Sequence, residues 1–239
     1  MPKSLEDFKN KYSGKRCFII GNGPSLKMED LNTLAANNEY SFGANRIYIS
    51  FQDTFWRPTF YCIQDGAMIK QYHKEIEKLK IKYKFISDYA LKKLGDKNFH
   101  TAYMFHLNPK RYYPYYPGFS TDIAKEIHEG FTVTYAEMQI ATYMGFKNIY
   151  LLGVDFNYAK AIDISGNIVD SGGKDYFSDQ YIKEKRKTKI FLNYTTPCKP
   201  TKKQNYIPEG MIFVFLMQHV AENLKCSNEL ISILYFRLE

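Results

Sequence analysis

At 239 residues the chain suits one α/β domain with room for an inserted subdomain. Its net charge of +8 points to anionic partners, yet no helix-turn-helix, zinc-finger or RNP pattern is present, so nucleic acid is not the expected ligand. The four cysteines, Cys17, Cys62, Cys198 and Cys226, have no C-x-x-C spacing and read as reduced thiols rather than a disulfide frame or zinc site.

The start, MPKSLEDFKNKYSGKR, is polar and charged, unlike a signal peptide, and predicts a short helix from Ser4 to Tyr12 capped by Ser4. Cys17 to Ile20 reads as a buried strand. It runs into Gly21-Asn22-Gly23-Pro24-Ser25, a turn in which the glycines permit positive φ or close approach and Ser25 is placed to cap the next helix. A strand, a glycine turn and a helix N-terminus in succession make a natural anion site, because free N–H groups and the helix dipole converge there. The turn is neither G-x-G-x-x-G nor a Walker A loop.

A helix follows from Met28 to Ala36, then strands from Tyr40 to Ala44 and Thr59 to Ile63, ending at Asn45-Arg46 and Gln64-Asp65-Gly66. Ala67 to Lys80 carries Met68, Tyr72, Ile76 and Leu79 on one helical face. Tyr83 to Ser87 and Ala102 to Leu107 are expected strands, Thr134 to Met144 a helix stopped by Gly145, and Asn148 to Val154 an apolar strand ending at Asp155. Alternating strands and helices predict a mostly parallel sheet covered on both faces, with ligands beyond the C-terminal strand ends. Asn22, Asn45, Asp65 and Asp155 all fall at such ends. Each alone reads equally as a turn residue; together they outline a cleft.

Two further stretches bear on chemistry. In Phe131-Thr132-Val133-Thr134 the hydroxyls and N–H groups suit a carboxylate or phosphate, or simple helix capping. In GVDFNY, Gly153 permits close approach, Asp155 suits a ribose hydroxyl, a metal or an amine, and Phe156 and Tyr158 suit stacking or hydroxyl donation. The five histidines, His73, His100, His106, His128 and His219, lack H-E-x-x-H spacing or a cysteine partner, so no metal site is expected and each reads as structural or exposed. His128, just before FTVT, is the one to watch. From 158 to 205 periodicity disappears, and KEKRKTK (Lys183 to Lys189) and KPTKK (Lys199 to Lys203) make the stretch basic. It reads as a lid or acceptor-binding insertion, or as a solvated one. A helix from Pro208 to Leu224 and a strand from Glu229 to Phe236 complete the expected elements. The longest apolar stretch, Met211 to Val220, is too short to span a bilayer.

IIGNGPSL, FGANRIY and MGFKNIYLLGVDFNY together resemble the bacterial CMP-sialic-acid-dependent sialyltransferases. They resemble equally the Rossmann-like family that includes the Maf flagellin glycosyltransferases and the archaeal 6-hydroxymethylpterin diphosphokinase (MptE-like). The resemblance covers roughly residues 15 to 158. It implies that Asn22 and Gly23 contact the nucleotide's phosphate and sugar, that Asn45 reaches the ribose or base, and that Asp65 faces the nucleotide. It further implies that Thr132, Val133 and Thr134 grip a donor carboxylate through backbone N–H groups. Gly153, Asp155 and Phe156 would line the nucleoside pocket, and Tyr158 would lie near a tyrosine that supports the departing phosphate. The sialyltransferases carry a histidine base in an H-Y-x-x-H-like lid segment. DYFSDQYIKE (Asp175 to Glu184) has none, which leaves Asp175, Asp179 or Glu184 as carboxylate bases.

The expectation is an α/β, Rossmann-like domain over 1–239 with a basic lid insertion at about 158–205. Its expected activity is glycosyl transfer from a nucleotide sugar, CMP-linked by preference, to a glycan or lipid-linked acceptor, with no cofactor. Asp155, Tyr158 and Asp179 are the catalytic candidates, and Gly21, Pro24 and Ser25 join the nucleotide-binding set. The alternatives are Mg²⁺-dependent pyrophosphoryl transfer from ATP to a pterin-like alcohol, with Asp65 or Asp155 as metal ligands, and a non-catalytic nucleotide-binding module. The chain is expected in the cytoplasm or against the inner membrane face through the basic lid, with a homo-oligomer as an open alternative to a monomer.

Overall fold

The computed structural model describes residues 4–94, 99, 101–112, 116–130, 132–155, 160–162, 168–170, 172–181 and 232–235. A seven-stranded sheet runs in the order β13-β10-β1-β2-β3-β4-β5, with every neighbouring pair parallel. The strands are β1 (Arg16–Ile20), β2 (Ser41–Ala44), β3 (Phe60–Ile63), β4 (Tyr83–Ser87), β5 (Tyr103–Phe105), β10 (Asn148–Leu152) and β13 (Ser232–Tyr235). Three small pairs lie outside it: β6 (Leu107–Asn108) with β9 (Ile127–His128), β7 (Arg111–Tyr112) with β8 (Tyr116–Pro117), and β11 (Lys160–Ile162) with β12 (Ile168–Asp170). The chain steps outward from β1 to β5, then returns to the other side of β1 with β10. The β1/β10 boundary is therefore the topological switch point, where doubly wound sheets open a crevice.

Alternation along the strands sorts two cores. Cys17, Ile19, Phe42, Phe60, Cys62 and Phe85 face helix α4 (Val133–Tyr143) and the N-terminal turn. Ile20, Tyr61, Ile63 and Ile86 face α1 (Met28–Ala36) and α2 (Gly66–Lys78). Helix α4 is buried from Thr134 to Tyr143, and that burial takes in the polar side chains of Thr134, Glu137, Gln139 and Thr142 as well as the apolar ones. Asp65 caps α2 by accepting from the N–H groups of Ala67 and Met68 at 2.6 and 3.2 Å. A short helix, α3 (Tyr89–Leu94), follows β4; the sequence reading passed over it, as it did β6 to β9, β11 and β12.

Most expected strands and helices are present, with shifted bounds. The first helix stops early, as a 3₁₀ turn over Leu5–Phe8, although Ser4 does cap it through Glu6 N–H at 3.1 Å. Asn10 takes φ 54°, and the N–H groups of Asn10 and Tyr12 donate to the carbonyls of Tyr143 and Met144 at 3.0 and 2.8 Å. Tertiary capping of the α4 C-terminus thus outcompetes helix propagation. The strand expected to Val154 ends at Leu152, where Gly153 turns the chain at φ 65°. The helix expected at 208–224 lies outside the described residues, as does most of the 158–205 insertion. Among the described residues no helix is long and apolar enough to cross a membrane.

Candidate functional site

The turn after β1 and the turn after β10 meet at the switch point. Gly21 N–H donates to the Leu152 carbonyl at 2.7 Å, and Gly23 N–H to the Gly153 carbonyl at 2.9 Å. A Cβ on Gly21 would run into the Gly153 backbone, one on Gly23 into the Asp155 side chain, and one on Gly153 would come 2.8 Å from Leu26 Cβ. The glycines therefore serve chain-to-chain approach between the two turns.

Ser25 does not cap α1. That helix starts at Met28 with Lys27 at the cap position and no side-chain cap bond. Instead Ser25 N–H donates to Asp155 Oδ2 at 2.7 Å, which holds Ser25 outside the helix. Asp155 thus supplies, from within the chain, the negative charge that the turn's N–H groups attract. Pro24 and Ser25 are exposed beside it.

The unsatisfied polar atoms lie one step across the sheet. Asn22 Nδ2 donates to the Ala44 carbonyl at 3.3 Å, but its Oδ1 is buried without a partner. Asn45, at the end of β2, sits at φ 53°, a left-handed backbone that asparagine tolerates better than most residues. Tyr61 OH donates to the Asn45 carbonyl at 2.7 Å, and Asn45 Oδ1 is again buried without a partner. At the end of β3, Gln64 Oε1 is in the same state, while its carbonyl accepts from Ser87 Oγ at 2.8 Å. Three adjacent strands thus end in amide oxygens removed from water and unpaired. A buried acceptor left so costs about 1–3 kcal/mol, which is recovered when a ligand donates to it.

Arg46 completes the group and was not among the expected site residues. It is 1% exposed. Its Nη1 donates to the carbonyls of Gln180 (3.1 Å) and Tyr181, and its guanidinium lies 4.5 Å from the Tyr72 ring centre, while Nε and Nη2 have no partner. In the sequence Arg46 reads as a solvated side chain past a strand end, and Gln64 as the first residue of the Gln64-Asp65-Gly66 turn.

Residues 176–181 of the insertion reach these strand ends. Phe177 N–H donates to the Asn22 carbonyl at 3.1 Å, and Arg46 N–H to Tyr181 OH at 3.4 Å. Tyr176 stacks on Tyr181 with ring centres 4.0 Å apart. Burial pushes the Tyr181 hydroxyl well above its ordinary pKa, so it stays protonated.

Other expected residues stand apart from the orphaned set. Asp65 is exposed and occupied as the α2 cap. Asp179 is exposed and ion-paired with Lys174 at 3.2 Å. Thr132 Oγ1 accepts from Thr134 N–H at 3.4 Å, the capping alternative, at the N-terminus of the helix that begins with Val133. Phe156, Tyr158 and Glu184 lie outside the described residues. His128 is 6% exposed, packed against Gly118 and 3.3 Å from Glu126 Oε1. Burial pushes its imidazole below the ordinary value, and its place is structural.

The parallel α/β sheet is Rossmann-like, and its unpaired polar atoms stand at adjacent C-terminal strand ends, where doubly wound sheets open a crevice. The chain belongs to the MptE-like family, described as 6-hydroxymethylpterin diphosphokinase MptE-like, whose model matches residues 1–161. No curated protein sequence matches it. Among solved structures it is similar to the Maf glycosyltransferase from Magnetospirillum magneticum AMB-1, at 17% identity and a TM-score of 0.39 over 71% of this chain and 32% of that one. This chain thus spans about a third of that protein. It is also similar to the sialyltransferase CstII from Campylobacter jejuni, solved with the substrate analogue CMP-3FNeuAc, at 17% identity and a TM-score of 0.42, covering 92% of this chain and 86% of the other.

Proposed function

We propose that the chain is a transferase that moves a sugar, sialic-acid-like, from a CMP-linked donor to a hydroxyl of a glycan or lipid-linked acceptor. The observation that carries this reading is the row of unpaired amide oxygens of Asn22, Asn45 and Gln64, with Arg46 Nε and Nη2 beside them. Acceptor oxygens in a row call for a ligand rich in N–H and O–H donors, as a nucleobase amine and ribose hydroxyls are. Arginine calls for a carboxylate, phosphate or base carbonyl. Asp155 at the glycine turn disfavours a long polyphosphate there, which favours a nucleoside monophosphate over ATP. The basic stretch from Lys183 to Lys203 would draw the chain to an anionic membrane face carrying the acceptor; cosedimentation with phosphatidylglycerol vesicles tests that, and no salt-sensitive binding would refute it.

The family match favours a second reading, pyrophosphoryl transfer from ATP to a pterin-like alcohol. It requires Mg²⁺, for which Asp65 and Asp155 are the available carboxylates. One oxygen of each already accepts from backbone N–H groups, so the fit is poorer. Isothermal titration separates the two. Metal-independent CMP binding supports glycosyl transfer, Mg²⁺-dependent ATP binding supports the diphosphokinase, and binding of neither removes both. CMP binding without turnover of any CMP-sugar would leave a nucleotide-binding module.

A further inference from the structure

We propose that the open hollow between α2 and α3 is an acceptor subsite for an anionic, hydroxyl-bearing molecule, and that His106, linked to it through Asp88 and Lys92 and oriented by Asp88, removes the acceptor's proton. This deepens the glycosyl-transfer reading and rests on it.

The hollow is lined by Gly66, Ala67, Lys70, Tyr89 and Lys92. Gly66 follows the end of β3 and Tyr89 the end of β4, so the hollow lies on the same edge of the sheet as the orphaned oxygens. The α2 N-terminus is already met by the Asp65 carboxylate, so it is the ammonium groups of Lys70 and Lys92 that favour an anion. Asp88 joins the hollow to His106: its Oδ2 is 3.9 Å from Lys92 Nζ and 2.7 Å from His106 Nδ1. Its Oδ1 accepts from Leu107 N–H at 3.2 Å, and its own N–H donates to the Phe105 carbonyl at 2.8 Å, which ties the ends of β4 and β5 together. Burial raises the Asp88 carboxyl, but the bond from His106, the Leu107 N–H and Lys92 outweigh it and hold the group below its ordinary value. An ionised Asp88 takes a proton on His106 Nδ1 as donor and leaves Nε2 with its lone pair, the tautomer a general base requires. Tyr89, whose hydroxyl burial raises, is the other titrating group beside Asp88, with Glu129 near it.

The spacing suits transfer. β5 lies two strands from β3, so His106 stands roughly 10 Å across the sheet from Gln64. The role requires that a donor whose nucleoside occupies the β1–β3 ends directs its sugar toward β4 and β5. The acceptor hydroxyl oxygen bonds to the anomeric carbon as the bond from that carbon to the phosphate oxygen breaks. The electron pair leaves with the nucleoside monophosphate, and the hydroxyl proton passes to His106 Nε2. Asp88 is a positioning residue.

Two measurements on the full chain test this. The first follows the His106 Cε1–H resonance while inorganic phosphate is added in the presence of CMP. A saturable displacement is expected, lost in the Lys70→Gln/Lys92→Gln double variant. No response, or an equal response in the double variant, would overturn the subsite. The second follows CMP release from CMP-N-acetylneuraminic acid. His106→Gln should lower kcat by about 100-fold or more with KM little changed, and Asp88→Asn should lower kcat less while moving the acid limb of the pH profile. A His106→Gln rate within about twofold of wild type, or a wild-type chain that binds CMP and phosphate but turns over no donor, would refute the proton-transfer role. Failure to bind CMP would instead sink the proposed function, while the phosphate response still reports on the hollow.

Discussion

Two sets of buried amides in this chain have opposite fates. Behind α4, Gln139 spends every polar atom: Oε1 accepts from the N–H groups of Ser120 and His128, both at 2.9 Å, and Nε2 donates to the carbonyls of His128 and Tyr135 at 3.0 and 3.1 Å. At the strand ends, Asn22, Asn45 and Gln64 each keep an oxygen with nothing to accept. The first is scaffold, stapling the 118–130 loop to its helix. The second is unfinished business that a ligand completes. In both sets the amide oxygens are shut off from water; the hydrogen-bond account separates them.

The largest effect should come from breaking the scaffold. Gln139→Leu strands the N–H groups of Ser120 and His128, at about 1–3 kcal/mol each, so urea unfolding should show a loss of roughly 2–6 kcal/mol. A loss below 1 kcal/mol would show that the loop re-pairs with water.

Glu137 puts the contrast under strain, because both its oxygens lack partners yet it sits inside the α4 core. It is 0% exposed, and burial pushes its carboxyl well above the ordinary 4.5. The folded state therefore keeps a proton that the unfolded state releases. The resulting stabilisation is complete below about pH 4.5 and is lost as pH rises toward the folded value, by up to ~1.4 kcal/mol per pH unit. Glu137→Gln should flatten that slope between pH 5 and 8; parallel urea midpoints for variant and wild type would contradict a protonated Glu137.

Asp155→Ala removes the acceptor of Ser25 N–H and should cost about 1 kcal/mol, since that bond is exposed. It should also raise the affinity of the glycine turn for inorganic phosphate, and an unchanged or weaker phosphate affinity would sink the internal-anion account.

The smallest stability change is expected at Gln64→Leu, within about 0.5 kcal/mol of wild type or above it, because an orphaned acceptor is removed. CMP affinity should nonetheless fall by about tenfold. Both outcomes together are needed; a destabilised variant with full CMP affinity would make Gln64 scaffold.

The sheet was legible because its signal is local: apolar runs such as Phe18-Ile19-Ile20 and Ile149-Tyr150-Leu151-Leu152, each ended by a glycine or polar turn. The positions of Asn22, Asn45, Asp65 and Asp155 at strand ends followed from the same signal. What those side chains do did not, because their partners are distant in the sequence. Ser25 looks like a cap until Asp155, 130 residues on, claims its N–H. Arg46 looks solvated until Gln180 and Tyr181 arrive from 134 and 135 residues away. The His106–Asp88 pair spans 18 residues, and no residue spacing marks it.

One strand governs how the chain can be shortened. β13 pairs along β10, so residues 153–231 leave and return to neighbouring positions in a single sheet. The chain between β10 and β13 is therefore tethered to the sheet at both ends. A chain cut before Ser232 would lay bare the edge of β10, an invitation to pair with another molecule. Trimming the basic stretch while keeping β13 is therefore the safer route to a minimal, well-behaved protein.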